Sequence, residues 1–589
     1  MFDKLFSPFT VKDMELKNRV VLPAMGTKFS GKTRDVTPTL IDYHVARVRG
    51  GSGLNIVEVC SIHTPSAPKG YLSISEDMYI PGLQRLTEAI HKAGGKAGLQ
   101  LWQGSLAVGM DPDAQILLAS DMEMSPGVTL PGISGEMIEE IIASYGKAAG
   151  RAVKAGFDCV EFHCAHNYLP HSFLSGGINH RTDEYGGSFE NRAKFPLACI
   201  RAIRANIPEG MPLFMRIDAH DDYLENGLTI EDVITFCKLA KEAGVDVLDI
   251  SRGNILTAGL KYEVPPVDIP HGFNIANAAR IRRETGMTTI GVGRINTPEL
   301  AEKILEEDQV DLVVIGRAQL ADPEFCNKAK AGKTEEIDYC VGCNQGCYDG
   351  FENKESLHIT CLRNPAVGRE AECKIVPTKK PEKVLIAGGG IAGLEAAIIL
   401  KQRGHSPILC EASDRLGGQF LTAGEAPRKE EMKKAVISMG KKAERIGVDI
   451  RINTKVTEEM IQEMKPHTVI NAIGAQPVIP PIPGVEQDFV IDSHAVLNGK
   501  STGTGNIVSH WRRYGWHGSG GISGRKGRKS NCVGDDEGIL RGYGKYQENL
   551  CNGKYSCCRN HPGNGSEGNG DKERRCNRRE AWGYSGISM

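Results

Sequence analysis

Four cysteines near the middle of the chain have the spacing of a metal centre. Cys340, Cys343, Cys347 and Cys361 read C-x2-C-x3-C-x13-C, and the first three lie within eight residues on a glycine-containing loop. Four thiolates in that order suit a [4Fe–4S] cluster. Zinc is the competing chemistry, because C-x2-C alone serves both. A second signal opens with the strand-like run Lys383-Val384-Leu385-Ile386-Ala387. It leads into Gly388-Gly389-Gly390-Ile391-Ala392-Gly393, and Glu411 follows the next strand-like run. Strand, G-x-G-x-x-G and a distant acid together fit a dinucleotide, with the pyrophosphate on a helix N-terminus and the acid on a ribose hydroxyl. A third signal, His163-Cys164-Ala165-His166-Asn167-Tyr168, places two histidines and a tyrosine within six residues. Alone, any one of these is more often a satisfied core residue than a catalytic one.

These residues need elements to position them. Strand-like runs recur at 19–24, 54–59, 96–102, 159–163, 213–217, 245–251, 288–292 and 311–315, with amphipathic stretches such as 82–93 and 138–155 between them. Strands alternating with helices in this way read as a (β/α)8 TIM barrel, where the carboxyl ends of the strands carry the chemistry. The expected class is α/β: a barrel over 1–330, a cluster segment over 331–375, and a Rossmann-like dinucleotide domain over 381–508. A proline-flanked linker at 376–381 marks the boundary.

The histidine block extends upstream to Glu161 and continues through Arg181-Thr182-Asp183-Glu184-Tyr185-Gly186-Gly187-Ser188 to Glu190-Asn191-Arg192. With Leu5-Phe6-Ser7-Pro8 and Leu16-Lys17-Asn18-Arg19 at the start, it resembles the Old Yellow Enzyme family of flavin mononucleotide (FMN) barrels. The resemblance implies that Pro23, Ala24, Met25 and Gly26 lie against the flavin ring and that Gln100 bonds its pyrimidine edge. It places Arg216 as a cation near N1, and Gly293-Arg294 and Gly316-Arg317 at the phosphate. It gives His163 and His166 the task of polarising a substrate carbonyl while hydride leaves flavin N5 for the β-carbon. Tyr168 then protonates the α-carbon. One position departs: Gln103 stands where the family often has histidine.

Arg415-Leu416-Gly417-Gly418-Gln419 and Ala472-Ile473-Gly474 are similar to FAD-binding parts of the glutathione-reductase-like fold. Barrel, cluster and dinucleotide domain in this order resemble 2,4-dienoyl-CoA reductase, 2-enoate reductase, trimethylamine dehydrogenase and the bile-acid 3-oxo-acyl-CoA 4-desaturases. Residues 262–266 and 271–274 look like the last of these. The implied path runs from NADH to FAD, singly across the cluster, and through FMN to substrate. That substrate would be a C=C conjugated to a carbonyl, in an enoate, an enoyl-CoA or a 3-oxo-Δ4 steroid, reduced or formed. Amine oxidation is the runner-up, but covalent FMN attachment there needs a cysteine soon after the first strand, and 26–35 contain none.

Composition narrows the remaining classes. With 71 basic and 73 acidic residues, the 589-residue chain has no field for nucleic acid. No run of about 18 apolar residues suggests a membrane span, and no apolar leader suggests secretion. A cytoplasmic homo-oligomer is expected, with the 17 cysteines serving metal or redox chemistry before disulfides.

Residues 509–589 break the pattern. They hold 17 glycines and 10 arginines but only 6 Val, Leu, Ile or Phe, too few to bury a core, so disorder is expected. The resembled fold should instead begin an NAD-binding unit here. Reading the codons from the second base of Ser509 restores it. Trp511 and Trp516 each force glycine in that frame, and 509–517 can read V-I-G-G-G-M-V-G-M. Residues 525–537 can then read E-K-G-E-K-V-T-V-L-E-M-M-K. One extra base near codons 508/509 is the expectation. The dinucleotide domain is then partial in this chain, and a truncated flavoprotein without NADH activity is a further alternative. No metal role is expected for the tail cysteines, nor a nucleic-acid role for its arginines.

Overall fold

The computed structural model describes residues 1–254, 263–353, 355–477, 479, 483–488 and 490–500, and the strands Ile507–His510 and Ser530–Val533. Eight parallel strands form a ring: β1 (Val20–Leu22), β2 (Leu54–Ser61), β3 (Lys96–Trp102), β4 (Cys159–Cys164), β5 (Leu213–Asp218), β6 (Val247–Ser251), β7 (Thr288–Gly291) and β8 (Leu312–Val314). They pair in that order, and β8 closes on β1 through Val313↔Val20. The expected boundaries agree to within two residues at most strand ends.

Alternation along the strands builds both the core and the site. Val160, Phe162, Met215, Ile217, Leu248 and Ile250 face the surrounding helices. Cys159, Phe214 and Val247 point into the ring, where Val11, Met14 and Leu16 of an N-terminal hairpin plug its floor. The next inward positions are polar, Glu161, Arg216 and Asp249, and the last are His163, Asp218 and Ser251. The barrel is therefore apolar at its base and chemical at its carboxyl end, as a parallel barrel requires. Helix starts are capped locally. Ser134 and Ser188 accept N–H groups from Met137 and Asn191, and Thr229 forms a capping box with Asp232.

The second domain has the parallel sheet β9 (Lys383–Ala387), β10 (Ser406–Cys410), β11 (Asp449–Arg451) and β12 (Thr468–Asn471), ordered β11-β10-β9-β12. Its helices Ile391–Gln402 and Glu430–Arg445 pack over an apolar core of Leu394, Ile398, Leu409, Val436 and Met439. Among the described residues, no helix is long and apolar enough to cross a membrane.

Tyr262, and nearly all of the tail expected to be disordered, lie outside the described residues. The exceptions are Ile507–His510 and Ser530–Val533, which pair in parallel.

Candidate active site

The carboxyl ends of the barrel strands enclose a cavity of about 240 Å³. Pro23, Ala24, Met25, Gly26, Gln100, His163, His166, Tyr168, Arg216, Gly293, Arg294, Gly316 and Arg317 all line it, so every barrel residue expected at the flavin or substrate meets in one place. Cys340 and Cys347 line the same cavity, which puts two of the four expected cluster ligands on its wall.

The loop after β4 aims the histidines. His166 and Asn167 both have left-handed backbone, φ +59° and +58°, a cost of about 1–3 kcal/mol each for non-glycine residues. Asp218 offsets it by accepting the His166 N–H at 2.6 Å. The rest of the block is scaffold. Arg181 donates to Ala119 O and Ile133 O at 2.8 Å, Asn179 to Phe173 O and Tyr185 O, and Arg192 to Leu174 O at 2.9 Å.

Hydrogen bonds assign the ring protons. His163 Nδ1 accepts from Ala165 N–H at 3.3 Å, so its proton rests on Nε2. Burial holds His163 and His166 well below the usual histidine range, and nearby positive groups add to this, so both rings are neutral. His166 Nε2 meets Ser251 Oγ at 2.8 Å, and Ser251 also accepts from Arg216 at 3.2 Å. Burial raises the Tyr168 hydroxyl, which therefore keeps its proton.

Arg216 donates to Asp249 at 2.5 Å, and Gln100 donates its amide to Glu161 at 2.6 Å. The Gln100 donor faces the acid, leaving its carbonyl for an N–H. The two expected phosphate arginines carry other duties as well. Arg294 donates to Glu431 of the second domain and to Val267 O and Ile269 O, and Arg317 donates to Asn344 at 2.6 Å and Pro265 O at 2.8 Å. A Cβ on Gly316 would sit 3.0 Å from Pro23 Cγ and 3.3 Å from Met25 Sδ. Glycine there leaves the cradle open for a flat ring. Gln103 turns away from the cavity, donating to Ser66 Oγ at 2.8 Å and accepting from Ser105 N–H at 2.9 Å. Its departure from the family pattern is a matter of scaffold.

Sequence reading missed the roof. Tyr348, Phe351 and Glu352, from the cluster segment, line the cavity, and the Phe351 ring lies 2.4 Å from where a Cβ on Gly26 would stand. It also missed Glu161, Asp249 and Ser251, although acids and a serine at inward strand positions were a usable signal.

The four cysteines lie near one another. Burial raises the Cys343 and Cys347 thiols, and Cys340 and Cys361 add to it at both. Thr360 N–H donates to Gly346 O at 2.8 Å, which brings Cys361 beside the Cys347 turn. Among the described residues, no three His, Cys, Asp or Glu groups converge on a single-ion position.

The glycines of the second domain divide the labour. A Cβ on Gly388 would lie 2.2 Å from Ala472 O, and one on Gly393 would lie 1.9 Å from Gly388 O. Gly390, which caps the helix, has nothing within 4 Å, the open side that a pyrophosphate needs. Glu411 accepts from Gly389 N–H at 2.7 Å and from Ser413, so it braces the loop. Gln419 donates to Ala475 O.

Comparison with known proteins agrees with this layout. Residues 4–336 match the NADH:flavin oxidoreductase / NADH oxidase family, and 382–503 match the pyridine nucleotide-disulphide oxidoreductases. An NADH oxidase of Thermoanaerobacter brockii is 38% identical over 511 residues, 85% of this chain and 77% of that protein. A cinnamate reductase of Clostridium sporogenes is 29% identical over 86% of this chain and 79% of its own length. The solved 2-naphthoyl-CoA reductase, in complex with 2-naphthoyl-CoA, superposes with a TM-score of 0.86 at 25% identity, over 92% of this chain and 84% of that one. The chain is an oxidoreductase and belongs to the NADH:flavin oxidoreductase / NADH oxidase family.

Proposed function

We propose that the chain reduces a C=C bond conjugated to a carbonyl, drawing electrons from NADH through FAD, a [4Fe–4S] cluster and FMN. The convergence of His163, His166, Tyr168, Gln100 and Arg216 on one cavity, with Cys340 and Cys347 in its wall, carries this reading. The relatives named cinnamate reductase and 2-naphthoyl-CoA reductase support the substrate class, an enoate or enoyl-CoA; a 3-oxo-Δ4 steroid is the further member of that class. Cys340, Cys343, Cys347 and Cys361 would hold the cluster, the Gly388–Gly393 loop and Glu411 the FAD, and the barrel cavity the FMN. Bound there, the flavins carry electron pairs and hydride, and the cluster carries single electrons. The neutral His163 donates from Nε2 to the substrate carbonyl oxygen, drawing charge off the β-carbon. Tyr168, kept protonated by burial, delivers its proton to the α-carbon. Ser251 fixes the His166 ring. The test is anaerobic turnover of cinnamate and a 2-enoyl-CoA by protein reconstituted with iron, FMN and FAD. Saturated product with dithionite-reduced protein supports the barrel chemistry, and none from any conjugated substrate overturns it. NADH dependence is read separately.

We infer also that residues 509–589 are an out-of-frame reading. The paired strands support it. In the shifted frame Ile507–His510 becomes I-V-V-I and Ser530–Val533 becomes V-T-V-L, so both fall on restored strand sequence. Resequencing the DNA for codons 495–520 decides the matter. A genome without the extra base supports the inference, and a confirmed base makes the tail genuine.

A further inference from the structure

Two acids stand behind the groups that would meet the flavin. Glu161 on β4 and Asp249 on β6 are both 0% exposed and flank Arg216 on β5. Asp249 Oδ2 accepts from Arg216, and Glu161 Oε2 accepts from Gln100. The remaining oxygens, Glu161 Oε1 and Asp249 Oδ1, have no N–H or O–H donor among the described residues. Burial raises both acids, and at Glu161 the facing Asp249 adds to it.

Charge counting gives the consequence. Among the described residues Arg216 is the cation that faces both acids; Asp218 on the same strand adds a carboxylate that the buried His171 meets at 3.3 Å, His163 is neutral, and burial keeps the nearby Cys159 thiol protonated. Two ionised carboxylates side by side in a dry barrel repel by several kcal/mol even at an effective dielectric near 20, so one of them retains a proton. Asp249 is tied to the guanidinium, which leaves Glu161 as its natural holder.

We propose that Glu161 and Asp249 share one proton that sets the charge beneath the flavin ring, and that losing it in mildly alkaline solution makes the bound flavin harder to reduce. This rests on the flavin reading of the cavity. With the proton in place, Arg216 balances the one ionised carboxylate of the pair, while Asp218 is met by the buried His171. Without it, the floor carries net negative charge below a ring that itself gains charge on reduction. Glu161 and Asp249 thus act through Arg216 and Gln100 as positioning residues.

The experiment is an anaerobic spectroscopic titration of FMN-loaded protein against a reference dye, from neutral to mildly alkaline pH, for wild type, Glu161→Gln and Asp249→Asn. Glutamine keeps a carbonyl for Gln100 and cannot ionise. The wild-type flavin potential is expected to fall more steeply with pH than that of Glu161→Gln. Superimposable curves overturn the proposal. Infrared difference spectra give a second readout. A protonated-carboxyl band that shifts in D2O and disappears in Glu161→Gln or Asp249→Asn supports the shared proton, and a wild-type spectrum without it refutes it. Failure of wild-type protein to take up FMN refutes the flavin reading itself, a distinct result.

Discussion

Glu370→Ala should cost the protein far more than replacing both members of its ion pair. Arg47, on the helix Pro38–Arg49, is 0% exposed and reaches Glu370 of the cluster segment at 2.6 Å; Glu370 is 7% exposed. The guanidinium lies over the Tyr43 ring at 3.9 Å and donates to Tyr43 O at 2.8 Å and Gln319 O at 3.3 Å. Arg47 Nη2 and Glu370 Oε2 have no partner among the described residues, so desolvation is only partly repaid. Removing the carboxylate leaves a buried cation uncompensated, at about 3–5 kcal/mol, while Arg47→Met with Glu370→Leu should be near neutral. At roughly 2 °C per kcal/mol for a unit this large, Tm falls by about 6–10 °C in the single variant. On the proposed cluster reading, iron content should fall with it. Calorimetry and iron analysis of anaerobically purified protein read both. A single variant that melts with wild type, or a double variant as damaged as the single, refutes the reasoning.

Tyr168→Phe removes the proton donor without altering ring packing, so C=C reduction should slow by about 10²–10⁴-fold with FMN content unchanged; a rate within about twofold of wild type rejects the assignment. Gly390→Ala should keep the wild-type Tm but lose FAD, because its methyl meets no protein atom, whereas Gly393→Ala should lose both. Full FAD occupancy in Gly390→Ala would mean the loop is no pyrophosphate cradle. Burial pushes Glu58 up to about 8, with its carboxyl accepting Thr27 N–H at 2.8 Å. The folded state therefore holds a proton that the unfolded chain releases above about pH 4.5, and stability falls as pH rises from there through about 8, by roughly 4–5 kcal/mol from this group. Glu58→Gln should flatten that slope in urea unfolding at several pH values; an unchanged slope contradicts the burial argument.

Much of the site was legible because its parts are local. The histidine–tyrosine block, the cysteine spacing and the glycine loop each sit within a few dozen residues, and strand parity turns His163 inward. Long-range partners were not legible. Nothing in Arg294 announces Glu431, 137 residues later, which claims part of its guanidinium. Gln103 departs from the family pattern with no partner visible in the sequence, and only the fold shows that Ser66 captures it. The buried acids Glu58, Glu161 and Asp249 hide because strand reading rewards apolar runs and passes over a charged residue on the inward face.

The roof formed by Tyr348 and Phe351 has a bearing on how the protein matures. On the proposed reading, a cluster held by Cys340, Cys343, Cys347 and Cys361 would tether the wall that completes the cavity, so FMN would have to enter before iron loading. Protein produced under iron starvation should exchange its flavin within the time of a gel-filtration run, and iron-replete protein should retain it. Equal retention in both would mean that the roof folds without metal.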